Sequence, residues 1–204
     1  MRTRRMQEEF ARRSVRQSAA SLEDYLSDLN LEVEIRPPLE TEWPRIAQLT
    51  QRTNQFNLSL KRRTLEEVRA MANDGFVLAL KARDRFGDYG LVGACVGIIT
   101  EPGVCEIDTF LMSCRVLGRG VENSLLHAVA IYARQQGSEL LAAPFIAGPR
   151  NQMVREFLAR SGFREQGENR WELPITEIPD LPSHVSWVDA EPASPPETAA
   201  TGGV

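Results

Sequence analysis

One stretch limits the possible folds more than any other. From Thr109 to Glu122 the chain reads Thr-Phe-Leu-Met-Ser-Cys-Arg-Val-Leu-Gly-Arg-Gly-Val-Glu. An apolar strand pattern runs through Arg115-x-x-Gly118-x-Gly120 straight into an amphipathic helix. Two glycines make a tight turn cheap and let backbone come close to a ligand. A helix start leaves unpaired N–H groups and a partial positive charge. Together they suit a phosphate or pyrophosphate, and Arg115 and Arg119 add direct charge. The turn lacks the third glycine of a dinucleotide fingerprint and the Lys-Ser/Thr of a P-loop. By itself it serves equally as a tight connection.

Around that turn the periodicities predict an α/β domain over 31–176. Residues 31–35 alternate apolar and polar as a half-buried strand does. Trp43, Ile46, Ala47 and Leu49 fall near helical spacing. Thr64 caps a further helix, with Glu67 three residues on. Strands are expected over 76–82, 91–100 and 104–112 as an antiparallel meander, with a long turn at 83–90. Val121, Leu125, Val129 and Tyr132 form one buried stripe of a helix that Gly137 ends. A strand at 139–145, a helix at 151–161 and a short strand at 171–173 complete the unit. Residues 1–30 read as linker helices, with a frayed arm as the alternative for 1–18. Residues 177–204 are Pro-rich and acidic and read as a disordered tail.

Composition narrows the classes. The chain has 204 residues, 42% hydrophobic and 25% charged, which suits one globular domain with appendages. No apolar run approaches the roughly 18–20 residues of a membrane helix, and residues 1–10 lack the apolar core of a signal peptide. Cys95, Cys105 and Cys114 are an odd, irregularly spaced set, as in reduced cytoplasmic thiols. Two histidines and no Cys-x-x-Cys argue against a metal site. Six arginines against Glu8 and Glu9 make residues 1–16 basic, and five acids with no Lys or Arg make 177–204 acidic. The net charge of −4 lacks the basic excess of a nucleic-acid binder.

The order of elements and the Arg115-x-x-Gly118-x-Gly120 turn resemble the GNAT (GCN5-related N-acetyltransferase) superfamily. A second block, from Asn151 through Val154, Phe157 and Leu158 to Gly162-Phe163, is similar to that family's last helix. Longer runs, at 21–26, 45–58, 85–93 and 107–122, resemble the C-terminal GNAT-like half of FkbH-like proteins of polyketide biosynthesis. Those proteins also carry a haloacid-dehalogenase (HAD)-like phosphatase domain, whose Asp-x-Asp-x-Thr motif this chain lacks.

The resemblance implies a splayed, mainly antiparallel sheet opening near residue 112, with helices on both faces. It also implies acyl transfer from a CoA or acyl-carrier-protein phosphopantetheine thioester, of a small glyceryl-type acyl group. Residues 115–121, that is Arg115, Val116, Leu117, Gly118, Arg119, Gly120 and Val121, would hold the phosphates. Backbone from Phe110, Leu111 and Met112 to Cys114 would meet the carbonyl and the arm, and Asn151 would reach the pantetheine or merely cap its helix. The family's tyrosine acid falls at Leu158, which cannot protonate anything.

Two residues are candidates for catalysis. Cys114, near a helix start and Arg115, is read as holding the acyl group or lying beside it, against an inert cysteine at a strand end. Asp108, on a central strand, is a base or donor-orienting group, or else the partner of a cation such as Arg85. The amide-rich Thr53, Asn54, Gln55, Phe56 and Asn57 suit the hydroxyls of a small polar acyl group. Lys61-Arg62-Arg63 could meet an acidic carrier protein. Two rival functions stay open: acetyl-CoA-dependent N-acetylation, and a non-catalytic module docking a carrier protein or a separate HAD-like subunit.

Overall fold

The computed structural model describes residues 2–188. Helices α1 (Arg2–Ser18) and α2 (Leu22–Asp28) precede the sheet. Ser21 caps α2 by accepting the Asp24 N–H at 3.0 Å. Helix α1 is fastened to the domain through Arg12, which is 4% exposed. The rest of the chain runs β1 (Leu31–Arg36), α3 (Trp43–Arg52), α4 (Leu65–Met71), β2 (Gly75–Asp84), β3 (Gly87–Glu101) and β4 (Val104–Met112). It continues with α5 (Val121–Gln135), β5 (Leu140–Pro144), α6 (Gln152–Arg160), β6 (Arg164–Glu165), β7 (Arg170–Pro174) and β8 (Val185–Trp187).

The eight strands form one sheet in the order β6-β7-β5-β4-β3-β2-β1-β8. Among the described residues only β4 with β5 and β1 with β8 run parallel. One face carries the larger core, including α5 and α6 through Leu125, Val129 and Phe157. The other carries α3 and α4 through Ile46, Leu49 and Val68. Thr64 and Glu67 make the reciprocal cap expected for α4.

Three differences from the sequence reading have local causes. The expected turn at 83–90 shrinks to two residues. The Asp84 carboxylate accepts the N–H groups of Phe86 and Gly87 at 3.0 and 3.1 Å and closes the hairpin early. The glycines placed in that turn instead lie in β3, beside register shifts of the β2–β3 ladder, where bulges belong. The sheet also opens sooner than residue 112: β4 and β5 pair only over Val104–Glu106 and Leu140–Ala142.

The third difference is at the C-terminal side. The tail expected from 177 onward is structured as far as Val188. Strand β8 lies beside β1, pairing Leu31 with Val185 and Val33 with Trp187, and the Val188 N–H donates to the Val33 carbonyl at 2.9 Å. Averaging over a Pro-rich acidic tail hid the short alternation Val185-Ser186-Trp187, whose two apolar side chains pack on the core. Residues 189–204 of that tail lie outside the described residues. Among the described residues no helix is long and apolar enough to cross a membrane.

Candidate functional site

Past Glu106 and Ala142 the diverging strands leave a wedge, and residues 56–58 fill it. The Leu58 N–H donates to the Phe110 carbonyl at 3.0 Å, the Met112 N–H to the Phe56 carbonyl at 2.9 Å, and the Ile146 N–H to the Leu58 carbonyl at 3.1 Å. Asn57 bridges to Leu111 across this short pairing. Phe56 packs its ring on Phe110 and Phe157, with centroids 6.1 and 5.4 Å apart. Asn57 is fully buried; its Nδ2 donates to the Thr53 carbonyl and its Oδ1 accepts the Leu60 N–H.

Asn151, 1% exposed, fastens this insert. Its Nδ2 donates to the carbonyls of Asn57 at 3.0 Å and Ile146 at 2.8 Å, and its Oδ1 accepts the Gly148 N–H at 2.8 Å. Its side chain makes no cap bond to α6.

These contacts correct several expectations. Of the β4 N–H groups assigned to the thioester and its arm, that of Met112 is taken by the Phe56 carbonyl, and Leu111 is wholly buried. Phe56 and Asn57, assigned to substrate, face the core. Asn151, assigned to pantetheine or to a cap, is saturated by backbone. A residue pattern shows the donors on β4 but not that residues 56–58, far earlier in the chain, will pair with them.

At the glycine turn the backbone has the anticipated shape. Gly118 and Gly120 have φ of +73° and +81°, and Gly120 is the N-cap residue of α5. Val116 and Val121 are buried in the core and Leu117 is half-buried. The anion lying against the turn is the chain's own. The Glu122 carboxylate, with its residue 7% exposed, sits against the N–H groups of Gly118 and Glu122, with Arg160 and His184 nearby. Burial dominates and raises its pKa, opposed by those amides and by the charge of Arg160. Its Oε2 has no hydrogen-bond partner among the described residues.

Arg119, expected to grip phosphate, turns away. Its guanidinium donates to the Tyr89 hydroxyl and lies 3.9 Å from Asp84. Asp84 also takes two hydrogen bonds from Arg12, at 2.8 and 2.9 Å, and one from Tyr89 at 2.6 Å. Burial alone would raise the pKa of Asp84, but the bonds from Arg12 and Tyr89 outweigh it and hold the group below its usual range. Arg115 bonds through Nε to Ser113 Oγ at 3.3 Å. His184 Nε2 lies 2.9 Å from the Arg119 carbonyl, so the C-terminal segment crosses the turn.

Asp108 is a counter-ion. It is 3% exposed and binds Lys61 at 2.5 Å, Arg63 at 2.9 and 3.0 Å, and Thr109 at 2.9 Å. Burial pushes its pKa up, yet the bonds from Lys61 and Thr109 and the nearby Arg63 bring it below the usual value. A carboxylate so held is a poor base, which corrects the catalytic reading. Its partners are Lys61 and Arg63 rather than Arg85, which pairs with Asp28. The basic run expected to meet a carrier is thus partly committed inside the molecule.

Cys114 has the opposite environment. It is exposed, whereas Cys95 and Cys105 are buried. Burial raises both buried thiols, Cys105 to about 12. Cys114 lines a cavity of about 410 Å³ with Thr53, Asn54, Gln55 and Met112, at the end of β4 beside the insert that fills the wedge. Arg45, Arg52 and Arg150 also line it. Sequence reasoning passed over these three. Arg45 and Arg52 sit seven residues apart on one helix, a two-turn repeat that points both the same way, and that spacing was the available signal. His127 is half-buried, its ring edge-on to Trp187 at 6.4 Å.

No protein-family model matches the chain, and no curated protein does. Solved structures share the fold. Spermidine N-acetyltransferase from Vibrio cholerae, in complex with CoA and spermine, is 13% identical over 71% of this chain and 96% of its own, with a TM-score of 0.53. Rv2747 from Mycobacterium tuberculosis, in complex with CoA, is 18% identical over 65% of this chain and 72% of its own, at 0.51. A Desulfovibrio desulfuricans protein described as a GNAT-family acetyltransferase is 17% identical over 70% of this chain and 99% of its own, at 0.53. The chain therefore has the GNAT acyltransferase fold, with a mixed, mainly antiparallel sheet and helices on both faces.

Proposed function

We propose that the chain is an acyltransferase that takes an acyl group from a phosphopantetheine thioester, on CoA or on an acyl carrier protein, and holds it on Cys114. The observation that carries this reading is the exposed Cys114 thiol opening on a cavity at the end of β4. In the step, the Cys114 sulfur attacks the thioester carbonyl carbon. A new carbon–sulfur bond forms, the bond to the arm's sulfur breaks, and the thiol proton of Cys114 passes to the departing sulfur. A leaving thiol with a pKa near 8.5 departs without a strong general acid. The absence of a tyrosine at Leu158, which is buried, is then no handicap. Gln55 and Ser113 supply neutral polar groups to the same cavity, which suits a small hydroxylated acyl group. Within this reading the acyl is glyceryl-type and the final acceptor is a carrier protein in polyketide biosynthesis, with a separate HAD-like subunit as a further partner.

The filled wedge favours a second reading, a non-catalytic module that docks a carrier protein or HAD-like subunit. Intact-protein mass spectrometry separates the two. Incubation with glyceryl-loaded carrier adds the acyl mass to wild type and not to Cys114→Ser under the first reading. Binding without any adduct supports the second. Thiol release from acetyl-CoA that depends on an added amine supports ordinary N-acetylation instead.

A further inference from the structure

The acid at the glycine turn stands where stability alone does not put one. Glu122 belongs to the first turn of α5, where a solvated carboxylate favours a helix. This one is 7% exposed, and burial raises its pKa. Its Oε2 is buried without a hydrogen-bond partner among the described residues. A carboxylate with an unmatched buried oxygen costs the folded state free energy. Helix capping therefore does not account for its place.

The amides it meets, those of Gly118 and Glu122, are the ones a phosphate at this turn would use. Beside them lies a cavity of about 480 Å³, lined by Gly118, Gly120 and Glu122, by Phe157 and Arg160 of α6, and by His184. That space is within the 300–1,000 Å³ usual for small-molecule sites, so room is not what keeps an anion out. Carboxylate and phosphate are both acceptors and both anions. They compete for the same N–H groups, and their like charges repel in a half-enclosed space. Arg119, the cation expected to draw a phosphate in, is bound to Tyr89 and stands 3.9 Å from Asp84.

We propose that Glu122 is an intramolecular competitor for the glycine turn: its carboxylate holds the anion's place, and a diphosphate enters only when that side chain is displaced. Glu122 is thus the residue that sets the turn's selectivity. The inference rests on the acyl-transfer reading only for its consequence, that the donor serving Cys114 is not gripped by these amides while Glu122 is in place.

Inorganic pyrophosphate, titrated into the full chain in a calorimeter at constant pH, tests this. Glu122→Ala should bind it at least about tenfold more tightly than wild type. Glu122→Gln, which keeps the shape and removes the charge, should gain in the same direction, and serves if the alanine variant does not fold. Glu66→Ala, which removes an exposed first-turn acid from α4, should leave the affinity at the wild-type value. In amide spectra the Gly118 N–H signal of Glu122→Ala should move with pyrophosphate, at concentrations that leave it in place in wild type. Circular dichroism and melting temperature establish that each variant is folded. A folded Glu122→Ala without that gain overturns the proposal. So does a folded Glu122→Gln with no gain, an equal gain in Glu66→Ala, or a gain that leaves the Gly118 signal unmoved. The acyl-transfer reading fails separately: no acyl adduct on Cys114 from a glyceryl-loaded carrier, alongside the gain in Glu122→Ala, rejects the transfer and leaves the competitor standing.

Discussion

The side-chain amide of Asn151 donates to the main-chain carbonyl of Asn57 at 3.0 Å, across 94 positions of sequence. This bond ties the start of α6 to the segment that fills the wedge between β4 and β5. Asn151→Ala leaves the carbonyls of Asn57 and Ile146 and the Gly148 N–H without their partner. Each orphaned buried group costs about 1–3 kcal/mol, and partial relaxation brings the expected total to roughly 2–4 kcal/mol. Urea denaturation should show that loss. Amide exchange at Leu58 and Met112, which pair the insert to β4, should accelerate more than exchange in β2.

The two turn glycines should respond unequally to alanine. Both have positive φ, so each substitution costs about 1–2 kcal/mol of backbone strain. A Cβ on Gly118 meets nothing within 4 Å, whereas on Gly120 it would lie 2.9 Å from Pro182 and 3.1 Å from His184 Nε2. Gly120→Ala should therefore destabilise more than Gly118→Ala in thermal melts. It should also expose 182–187 to limited proteolysis, which Gly118→Ala should not.

Acid should reveal the buried Asp84. Its pKa in the folded chain lies below the usual value, near 3.9 when unfolded. The stability it contributes is fully present above about pH 4. It is lost as pH falls from there through the lower folded value. Asp84→Asn removes the carboxylate that bonds the buried Arg12, leaving only the more distant Glu9 at 3.8 Å, and should cost about 3–5 kcal/mol at pH 7. The gap between variant and wild type should narrow steadily below about pH 4 in denaturant titrations.

Most of the fold was legible because its signals are local. Thr64 and Glu67 announce a cap, Gly137 and Gly162 mark helix ends, and the alternation of 31–35 marks a strand; all describe neighbours in sequence. The glycine turn was legible for the same reason. What escaped notice depends on distant partners. Nothing near Phe56 says that it will lie on Phe110 and Phe157, and nothing near Glu122 says that its carboxylate will lie at the Gly118 amide. Asp108 looked catalytic because an acid on a central strand needs a reason, and the reason, Lys61 and Arg63, lies 47 and 45 residues away. Strand β8 escaped because three residues are too few to outweigh the composition around them.

The central claim is that Cys114 accepts an acyl group, and intact mass after incubation with an acyl-loaded phosphopantetheine carrier tests it most directly. The account predicts a gain of one acyl mass on wild type, mapped to the Cys114 peptide and reversed by hydroxylamine. It predicts no gain on Cys114→Ser, whose melting point should match wild type because the residue is exposed. An unmodified wild type, or an equal adduct on Cys114→Ser, would contradict it.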